Sequence, residues 1–407
     1  MTVRRQVALS RDEALALDGS DPLAGFRERF LPAEAGLIYL DGNSLGRPPR
    51  ATRDRLLRLV EREWGERLIR SWDEGWFELP RRIGDLIASA CLGAAPGQTI
   101  VADSTTVCLY KLISAALDAR PGRDEIVTDR HNFPTDRYVV EGLARSRGLG
   151  VRWLEEEPEP AAIGELVGER TALVTLSHVS FRSAAIADMA AINERVHAAG
   201  ALVLWDLCHS AGSIPVALDS SGTDLAVGCT YKFLNGGPGA PAFMYAREEH
   251  QTALAQPIWG WIGRRDPFEM EQGYVPADGV TALLSGTPGV LGLVAVEEGV
   301  KLVAEAGIDA IHEKGRALTA LAIELHDAWL AELGFALVTP RDPERRGAHV
   351  SVGHARAREL SRALIDAGVI PDFRPPDVIR LGLSPLTTSF ADVWDGLDAL
   401  RGIAAAV

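Results

Sequence analysis

An acidic residue and a histidine follow a buried-strand pattern in the middle of the chain. Segment 201–206 reads Ala-Leu-Val-Leu-Trp-Asp, an apolar run that ends in Asp206. A carboxylate at the end of a buried strand loses hydration unless a cation or good donors compensate. Ligands of open α/β sheets bind beyond the carboxyl ends of strands, so Asp206 is placed to meet a cationic ligand atom, with His209 close by. A helix cap for Asp206 and a surface position for His209 are the structural alternatives.

A lysine holds a similar position after the next strand pattern. Lys232 lies in segment 229–239, Cys-Thr-Tyr-Lys-Phe-Leu-Asn-Gly-Gly-Pro-Gly, whose glycines let the backbone approach a bulky cofactor. Apolar and aromatic neighbours favour the nucleophilic, neutral amine of a lysine. A pyridoxal phosphate (PLP) site needs a lysine for the Schiff base and an acid for the pyridinium nitrogen. Because Lys232 occurs together with Asp206, we interpret the pair as a PLP site.

Two other segments are candidates for holding the phosphate and the ring of such a cofactor. Residues 103–107, Asp-Ser-Thr-Thr-Val, begin a helix pattern, so Thr105 and Thr106 offer hydroxyls at the positive end of a helix. Residues 131–136, His-Asn-Phe-Pro-Thr-Asp, follow another strand pattern, and there Phe133 is able to stack on a flat ring and Asp136 to orient a cofactor oxygen. Taken singly, these residues are also typical of a helix cap, a core aromatic and a turn acid.

The elements that must position these residues alternate between strand and helix. Amphipathic helix patterns separate several of the apolar strand patterns. This alternation predicts an α/β fold with a mostly parallel seven-stranded sheet flanked by helices. The strand patterns lie at 98–102, 125–128, 150–154, 172–177, 201–206, 225–229 and 242–245.

A different arrangement follows toward the C-terminus. Helical patterns at 289–304 and 309–333 lead to short strands around one helix, which we interpret as a smaller α+β domain. The expected division is an N-terminal segment that packs with the small domain, a large cofactor-binding domain and the small domain itself. Their predicted bounds are residues 1–60, 61–290 and 291–407.

Composition excludes several classes of protein. The 407 residues have a net charge of −14, which argues against nucleic acid as a partner. Four cysteines without a CxxC pair and nine scattered histidines predict neither a disulfide framework nor a metal site. No apolar run is long enough for a signal peptide or a membrane span, so we expect no membrane partner and a cytoplasmic location.

Together, these residues resemble the kynureninases, a family in the aminotransferase class V branch of the PLP enzymes of fold type I. The Asp-x-x-His motif at 206–209 and the Tyr-Lys pair at 231–232 are typical of the superfamily. Phe-Pro-Thr-Asp at 133–136, Gly-Trp-Ile-Gly at 260–263 and segment 371–380 are more specific to kynureninases. The resemblance extends over nearly the whole chain, and the other matching segments are 40–46, 105–107 and 285–287.

The resemblance implies a role for each matching residue. Lys232 would bind PLP and move the proton of the substrate Cα, and Asp206 would pair with the ring nitrogen. Tyr231 would contact the cofactor phosphate, and either Tyr231 or a bound water would relay a proton. Arg380 would bind the substrate α-carboxylate, although an internal salt bridge to an acid such as Asp377 is the alternative. The remaining cofactor contacts would come from Thr105, Thr106, Phe133, Asp136, Ser183, His209, Trp261 and Thr287. The remaining substrate contacts would come from Asn43 and Ser44.

The implied activity is PLP-dependent hydrolysis of the Cβ–Cγ bond of L-kynurenine, or of its 3-hydroxy form, by a homodimer with shared active sites. Segment 181–185 reads Phe-Arg-Ser-Ala-Ala where the family often has Tyr-Arg-Thr-Gly-Arg, and Thr387 replaces an aromatic. Ala184, Ala185 and Thr387 therefore leave a modified kynurenine of secondary metabolism open as the substrate. A cysteine desulfurase or lyase is the other enzyme reading, but a desulfurase needs a cysteine after Cys229, where the sequence has none. A catalytically inactive binding protein with the same fold is a third reading.

Overall fold

The computed structural model describes residues 10–406 of the chain. The strands in chain order are β1 Ile38–Tyr39, β2 Thr99–Ala102, β3 Glu125–Asp129, β4 Gly150–Leu154, β5 Thr171–Ser177, β6 Leu202–Asp206, β7 Leu225–Gly228, β8 Ala242–Ala246, β9 Ala336–Leu337, β10 His349–Gly353, β11 Val369–Ile370, β12 Asp372–Arg374 and β13 Val378–Gly382. The α-helices are α1 Arg11–Ser20, α2 Arg50–Arg58, α3 Leu79–Ile87, α4 Thr105–Asp118, α5 Pro134–Arg147, α6 Pro160–Leu166, α7 Met189–Ala198, α8 Glu248–Gln251, α9 Val290–Ala306, α10 Ile308–Leu325, α11 Ala357–Asp366 and α12 Phe390–Ala405.

The central sheet has seven strands in the order β2-β8-β7-β6-β5-β3-β4. Strand β8 is antiparallel to its neighbours β2 and β7, and the other pairs are parallel. Each strand coincides within one residue with a strand pattern of the sequence. The predicted α/β fold with a mostly parallel seven-stranded sheet is therefore confirmed.

Both faces of this sheet are covered by helices. In β6, Val203 and Trp205 belong to one apolar cluster while Leu202 and Leu204 belong to another, because successive side chains of a strand point to opposite faces. The first cluster contains residues of α3, α7 and α9, and the second contains residues of α4 and α5. Since the faces are apolar, chemistry is confined to the ends of the strands.

The two ends of the parallel strands differ in what they present. At the amino end of β7, the Asp224 carboxylate is hydrogen-bonded to His197 at 2.9 Å and to His250 at 2.7 Å. Asp224, Glu249 and His250 are a group that could hold a metal ion, although hydrogen bonds already occupy both Asp224 oxygens. The carboxyl ends, where Asp206 terminates β6, lie at the opposite edge and hold the predicted cofactor residues.

A second sheet forms the C-terminal part, in the antiparallel order β12-β13-β10-β9. Helices α10, α11 and α12 pack around it with a third apolar cluster. Ala14 of α1 and Leu40 lie in this cluster, and β1 pairs with β11. N-terminal residues thus contact the C-terminal sheet, although α2 packs on α9. The domain bounds at residues 60 and 290 stay a prediction.

The helical region after α2 has an unexpected apolar surface. Its charged residues form pairs such as Arg62–Glu66, at 2.5 Å. However, Trp64, Leu68 and Ile69 are 56%, 57% and 76% exposed. Within residues 10–406, no helix is long and apolar enough to cross a membrane. In the isolated chain, the side chains of Trp64, Leu68 and Ile69 are therefore open to solvent.

Candidate active site

A cleft of about 510 Å³ lies at the carboxyl ends of the parallel strands. Its walls are the loops after β3, β5, β6 and β7 together with the first turn of α4. The lining residues that the sequence indicated are Thr105, Thr106, Phe133, Asp136, Asp206, His209, Tyr231 and Lys232. The lining residues that it did not indicate are Thr135, Ser177, Phe181 and Cys208.

An amine and a neutral imidazole face each other in this cleft. Lys232 Nζ lies 2.9 Å from His209 Nε2. Burial and the charge of Lys232 lower the pKa of His209 well below its ordinary value, so the imidazole stays uncharged. The rings of Phe133 and Tyr231 each have their centroid 6.0 Å from Lys232 Nζ. The amine therefore lies within hydrogen-bond distance of His209 and close to two aromatic rings.

Two buried acids form the base of the cleft. Asp206 accepts a hydrogen bond from the backbone N–H of Cys208 at 2.6 Å, while Asp136 lies in the first turn of α5. Their relative exposures are only 6% and 2%. Burial and the nearby Asp206 charge raise the pKa of Asp136 well above its ordinary value. This favours a proton on Asp136.

The amino end of α4 is held in place by an ion pair whose lysine is fully buried. Lys111 Nζ lies 2.6 Å from an Asp103 oxygen and donates to the Leu283 carbonyl at 3.0 Å. Asp103 has φ 47°, which turns the chain into the helix just before Thr105 and Thr106. The first N–H groups of a helix have no intrahelical acceptor and lie at the positive end of its dipole. This end of α4 is therefore a fitting place for a phosphate.

The predicted substrate residues form a cluster next to the cleft. Arg380 lies on β13, and its side chain is fully buried. Its guanidinium donates to Ser44 Oγ at 2.8 Å and to the Phe181 carbonyl at 2.7 Å. Asn43 accepts from Arg380 Nε at 2.9 Å once its amide oxygen faces the guanidinium. Phe181 lines the cleft and its carbonyl accepts from Arg380, so this residue connects the cluster to the cleft.

The ion-pair partner of Arg380 is Asp372, at 2.5 Å, and not the sequence neighbour Asp377. Asp377 pairs with Arg182 at 2.9 Å instead, so the suggested acid was wrong although an internal partner exists. Asp372 lies opposite Arg380 in the β12–β13 ladder. Burial and the nearby charge of Arg374 together lower the pKa of Arg380 to about 10.

Three predicted cofactor residues are not on the cleft of this chain. Ser183 Oγ donates to Glu157 at 2.7 Å, and Glu157 lines a neighbouring pocket. The Trp261 ring is partly exposed and packs against Phe268. Thr287 lines a separate cavity. Contacts of Trp261 and Thr287 with a cofactor would therefore need a second subunit.

The residues that do meet in the cleft fit PLP. Among residues 10–406, buried Asp136 Oδ2 and His209 Nδ1 have no hydrogen-bond partner. Asp206 supplies an anion for a ring nitrogen, and Lys232 an amine for an imine. Phe133 offers a flat ring, and the end of α4 offers donors for a phosphate. The buried charge and the unpaired polar atoms are complementary to this cofactor.

Solved structures share this fold. The apo structure of a cysteine desulfurase from Thermococcus onnurineus NA1 has 19% identity and a TM-score of 0.80, and the match covers 94% of this chain and 98% of that one. A C-DES mutant with glycine covalently linked to the PLP cofactor has 16% identity and a TM-score of 0.81, with 92% and 98% covered. At such identities the likeness concerns the fold alone. Fold and site together define a PLP-dependent enzyme of fold type I.

Sequence comparison narrows this class to one family. Residues 311–400 match the family model of the kynureninase C-terminal domain. A kynureninase from Burkholderia pseudomallei (strain 1106a) is 45% identical over 402 residues, covering 97% of this chain and 95% of the relative. One from Pseudomonas fluorescens is 42% identical over 401 residues, with the same shares covered. The chain belongs to the kynureninase family.

Borohydride reduction of the PLP-loaded protein should fix the cofactor on Lys232. The other lysines of the chain are Lys111 and Lys314, each buried in an ion pair, and Lys301, which pairs with Glu297 and Glu298. Peptide mapping by mass spectrometry should find the label on Lys232, and Lys301→Ala should leave labelling unchanged. Label on another lysine in the native protein would refute the assignment.

Proposed function

We propose that this enzyme hydrolyses the Cβ–Cγ bond of L-kynurenine, or of 3-hydroxy-L-kynurenine, to anthranilate or 3-hydroxyanthranilate and L-alanine. The observation that supports this most directly is 42–45% identity over 97% of the chain to proteins named kynureninase. The Lys232–His209 pair and the buried Asp206 charge supply the groups that this chemistry needs in one cleft.

When bound, PLP supplies an electron sink that weakens bonds at the substrate Cα and labilises the Cβ–Cγ bond. Asp206 would hold the ring nitrogen and favour its protonated form through a negative charge. Lys232 holds and moves the Cα proton, and the neutral His209 beside it orients the amine by hydrogen bonding. Burial raises the pKa of the Tyr231 phenol, so this hydroxyl keeps its proton and donates it during hydrolysis.

The remaining side chains hold the cofactor and the amino-acid part of the substrate. We assign the phosphate to Thr105 and Thr106, since they lie at the positive end of α4. Arg380 binds the α-carboxylate, because its planar donors match a carboxylate, with Asn43 and Ser44 fixing the guanidinium.

A desulfurase or lyase of the same fold is the weaker candidate. The solved desulfurase structure matches at 19% identity, far below the kynureninases. The cysteines of this chain are Cys91, Cys108, Cys208 and Cys229, and all of them are buried. The nucleophilic thiol that a desulfurase requires is therefore missing from the C-terminal part of the sequence.

Turnover of kynurenine and 3-hydroxykynurenine by the purified protein tests the proposed function directly. We expect stoichiometric formation of L-alanine and the matching anthranilate from at least one of them. The ratio of kcat/KM for the two substrates then fixes the ring preference. Release of sulfide from cysteine without activity on either kynurenine would overturn the proposal. Hydrolysis of kynurenine would serve tryptophan catabolism or NAD biosynthesis in the cytoplasm.

We also infer that the enzyme is a homodimer with shared sites. Trp64 and Leu291 border an apolar cavity and are 56% and 49% exposed. Trp261 and Thr287 lie outside the cleft of their own chain, so a partner's cleft would give them a cofactor to contact. Covering the apolar surface also removes it from water.

Light scattering should therefore report a dimer whose dissociation removes activity. Trp64→Glu should shift the protein toward the monomer and lower turnover, since a buried unpaired charge would oppose association. Ile365→Glu is the matched control, because Ile365 is an exposed apolar residue on α11, in the C-terminal part. A native monomer with full turnover would contradict the shared-site proposal.

A further inference from the structure

Asp372 lies between two arginines beside the cleft. A single oxygen, Asp372 Oδ2, is 2.6 Å from Arg374 Nε and 2.5 Å from an Arg380 terminal nitrogen. The β12–β13 register fixes this contact, because Asp372 is directly opposite Arg380. Strand pairing thus holds Asp372 next to Arg380.

The other partners of Arg380 carry no charge. They are the Ser44 hydroxyl, the Asn43 amide and the backbone carbonyl of Phe181. Within residues 10–406, Asp372 is the one carboxylate that forms an ion pair with this guanidinium. A buried guanidinium requires such a counter-ion, since an uncompensated buried charge is strongly destabilising.

A substrate carboxylate would have to compete with this counter-ion. The cluster already contains two acids, Asp372 and Asp41, for two arginines, Arg374 and Arg380. A third carboxylate that simply joined them would leave an unpaired negative charge in a buried place. Exchange avoids this, because the entering carboxylate replaces Asp372 at Arg380.

Arg374 is positioned to keep the displaced acid. Its Nε already holds Asp372, and its side chain is 29% exposed whereas that of Arg380 is fully buried. The Arg374 guanidinium carbon also lies 5.8 Å from the ring centroid of Phe181, which lines the cleft. Phe181 therefore lies next to both arginines, with its carbonyl bound to Arg380 and its ring beside Arg374.

We propose that Asp372 is an internal substitute for the substrate carboxylate, which occupies Arg380 until substrate displaces it onto Arg374. Asp372 then limits substrate affinity, and Arg374 lowers the barrier to exchange. This rests on the proposed function in one respect, namely that Arg380 binds the α-carboxylate. It assigns to Asp372 and Arg374 opposite effects on binding.

Opposite shifts in KM test the assignment. Asp372→Asn removes the competing charge and keeps the side-chain shape, so KM for kynurenine should fall by about threefold or more with a smaller change in kcat. Arg374→Gln removes the second arginine that binds Asp372, so Asp372 pairs with Arg380 alone. KM for kynurenine should then rise by about threefold or more. A purely structural role would raise KM in both variants, and that result would overturn the proposal.

A measurement on the cofactor-free protein gives a readout apart from turnover. Asp372→Asn should lower the thermal midpoint in chloride-free buffer, because Arg380 loses its counter-ion. Added acetate should restore the midpoint more than it stabilises the native protein. Asp377→Asn is the control, since Asp377 precedes β13 but pairs with half-exposed Arg182. Equal acetate effects in all three proteins would contradict the proposal.

Arg380→Lys separates this proposal from the proposed function. If Arg380 binds the α-carboxylate, the variant should lose roughly tenfold to hundredfold in kcat/KM for kynurenine. Unchanged kinetics would remove the role of Arg380 and the exchange at Asp372 together. The expected loss combined with a raised KM in Asp372→Asn would refute the exchange alone.

Discussion

The negative charge of Asp206, buried at the end of a parallel strand, is the feature on which the site depends. The continuous apolar core of the sheet excludes water from this position, and the neighbouring Asp136 is buried as well. Two acids side by side favour one proton between them and one remaining charge. That charge is stabilised best by a cation held in the cleft, and a protonated ring nitrogen is such a group. A protonated ring nitrogen of the cofactor would therefore balance the negative charge that the sheet buries at Asp206.

The buried charge on the C-terminal sheet, that of Arg380, is compensated in a different way. Arg380 is as buried as Asp206, but the structure supplies its counter-ion through Asp372. At Asp206 a ligand is needed to balance the buried charge. At Arg380, in contrast, a ligand must displace a counter-ion that is already bound. This difference suits a resident cofactor on the large sheet and an exchanging substrate beside the small one.

The sequence predicted the large sheet correctly, and most of the residues that it proposed for the cofactor meet in one cleft. Strands buried on both faces are continuous apolar runs, so their ends are visible, and Asp206 and Lys232 follow such ends directly. Parallel strands place their carboxyl ends at one edge of the sheet. Residues that follow different strands could therefore be predicted to lie close together, although they are far apart in sequence.

Contacts across strands could not be predicted in this way. The Asp372–Arg380 pair depends on hairpin register, and Asp377 is nearer in sequence yet belongs to Arg182. Ser183 was assigned by resemblance, but its hydroxyl turns toward Glu157. The apolar surface around Trp64 could not be recognised from the sequence, because arginines and glutamates are interleaved with its apolar residues. Each of these depends on side-chain direction, which composition does not specify.

The variant Asp206→Asn tests the central claim most directly, because asparagine retains the acceptor for the Cys208 N–H and removes only the charge. Two quantities should be measured, namely kynurenine turnover and the thermal midpoint of the cofactor-free protein. Turnover should fall by about a hundredfold or more, since the ring nitrogen loses its anionic partner. The midpoint should stay level or rise, since an uncompensated buried charge is gone. Near-native turnover, or a cofactor-free protein that no longer folds, would contradict the account.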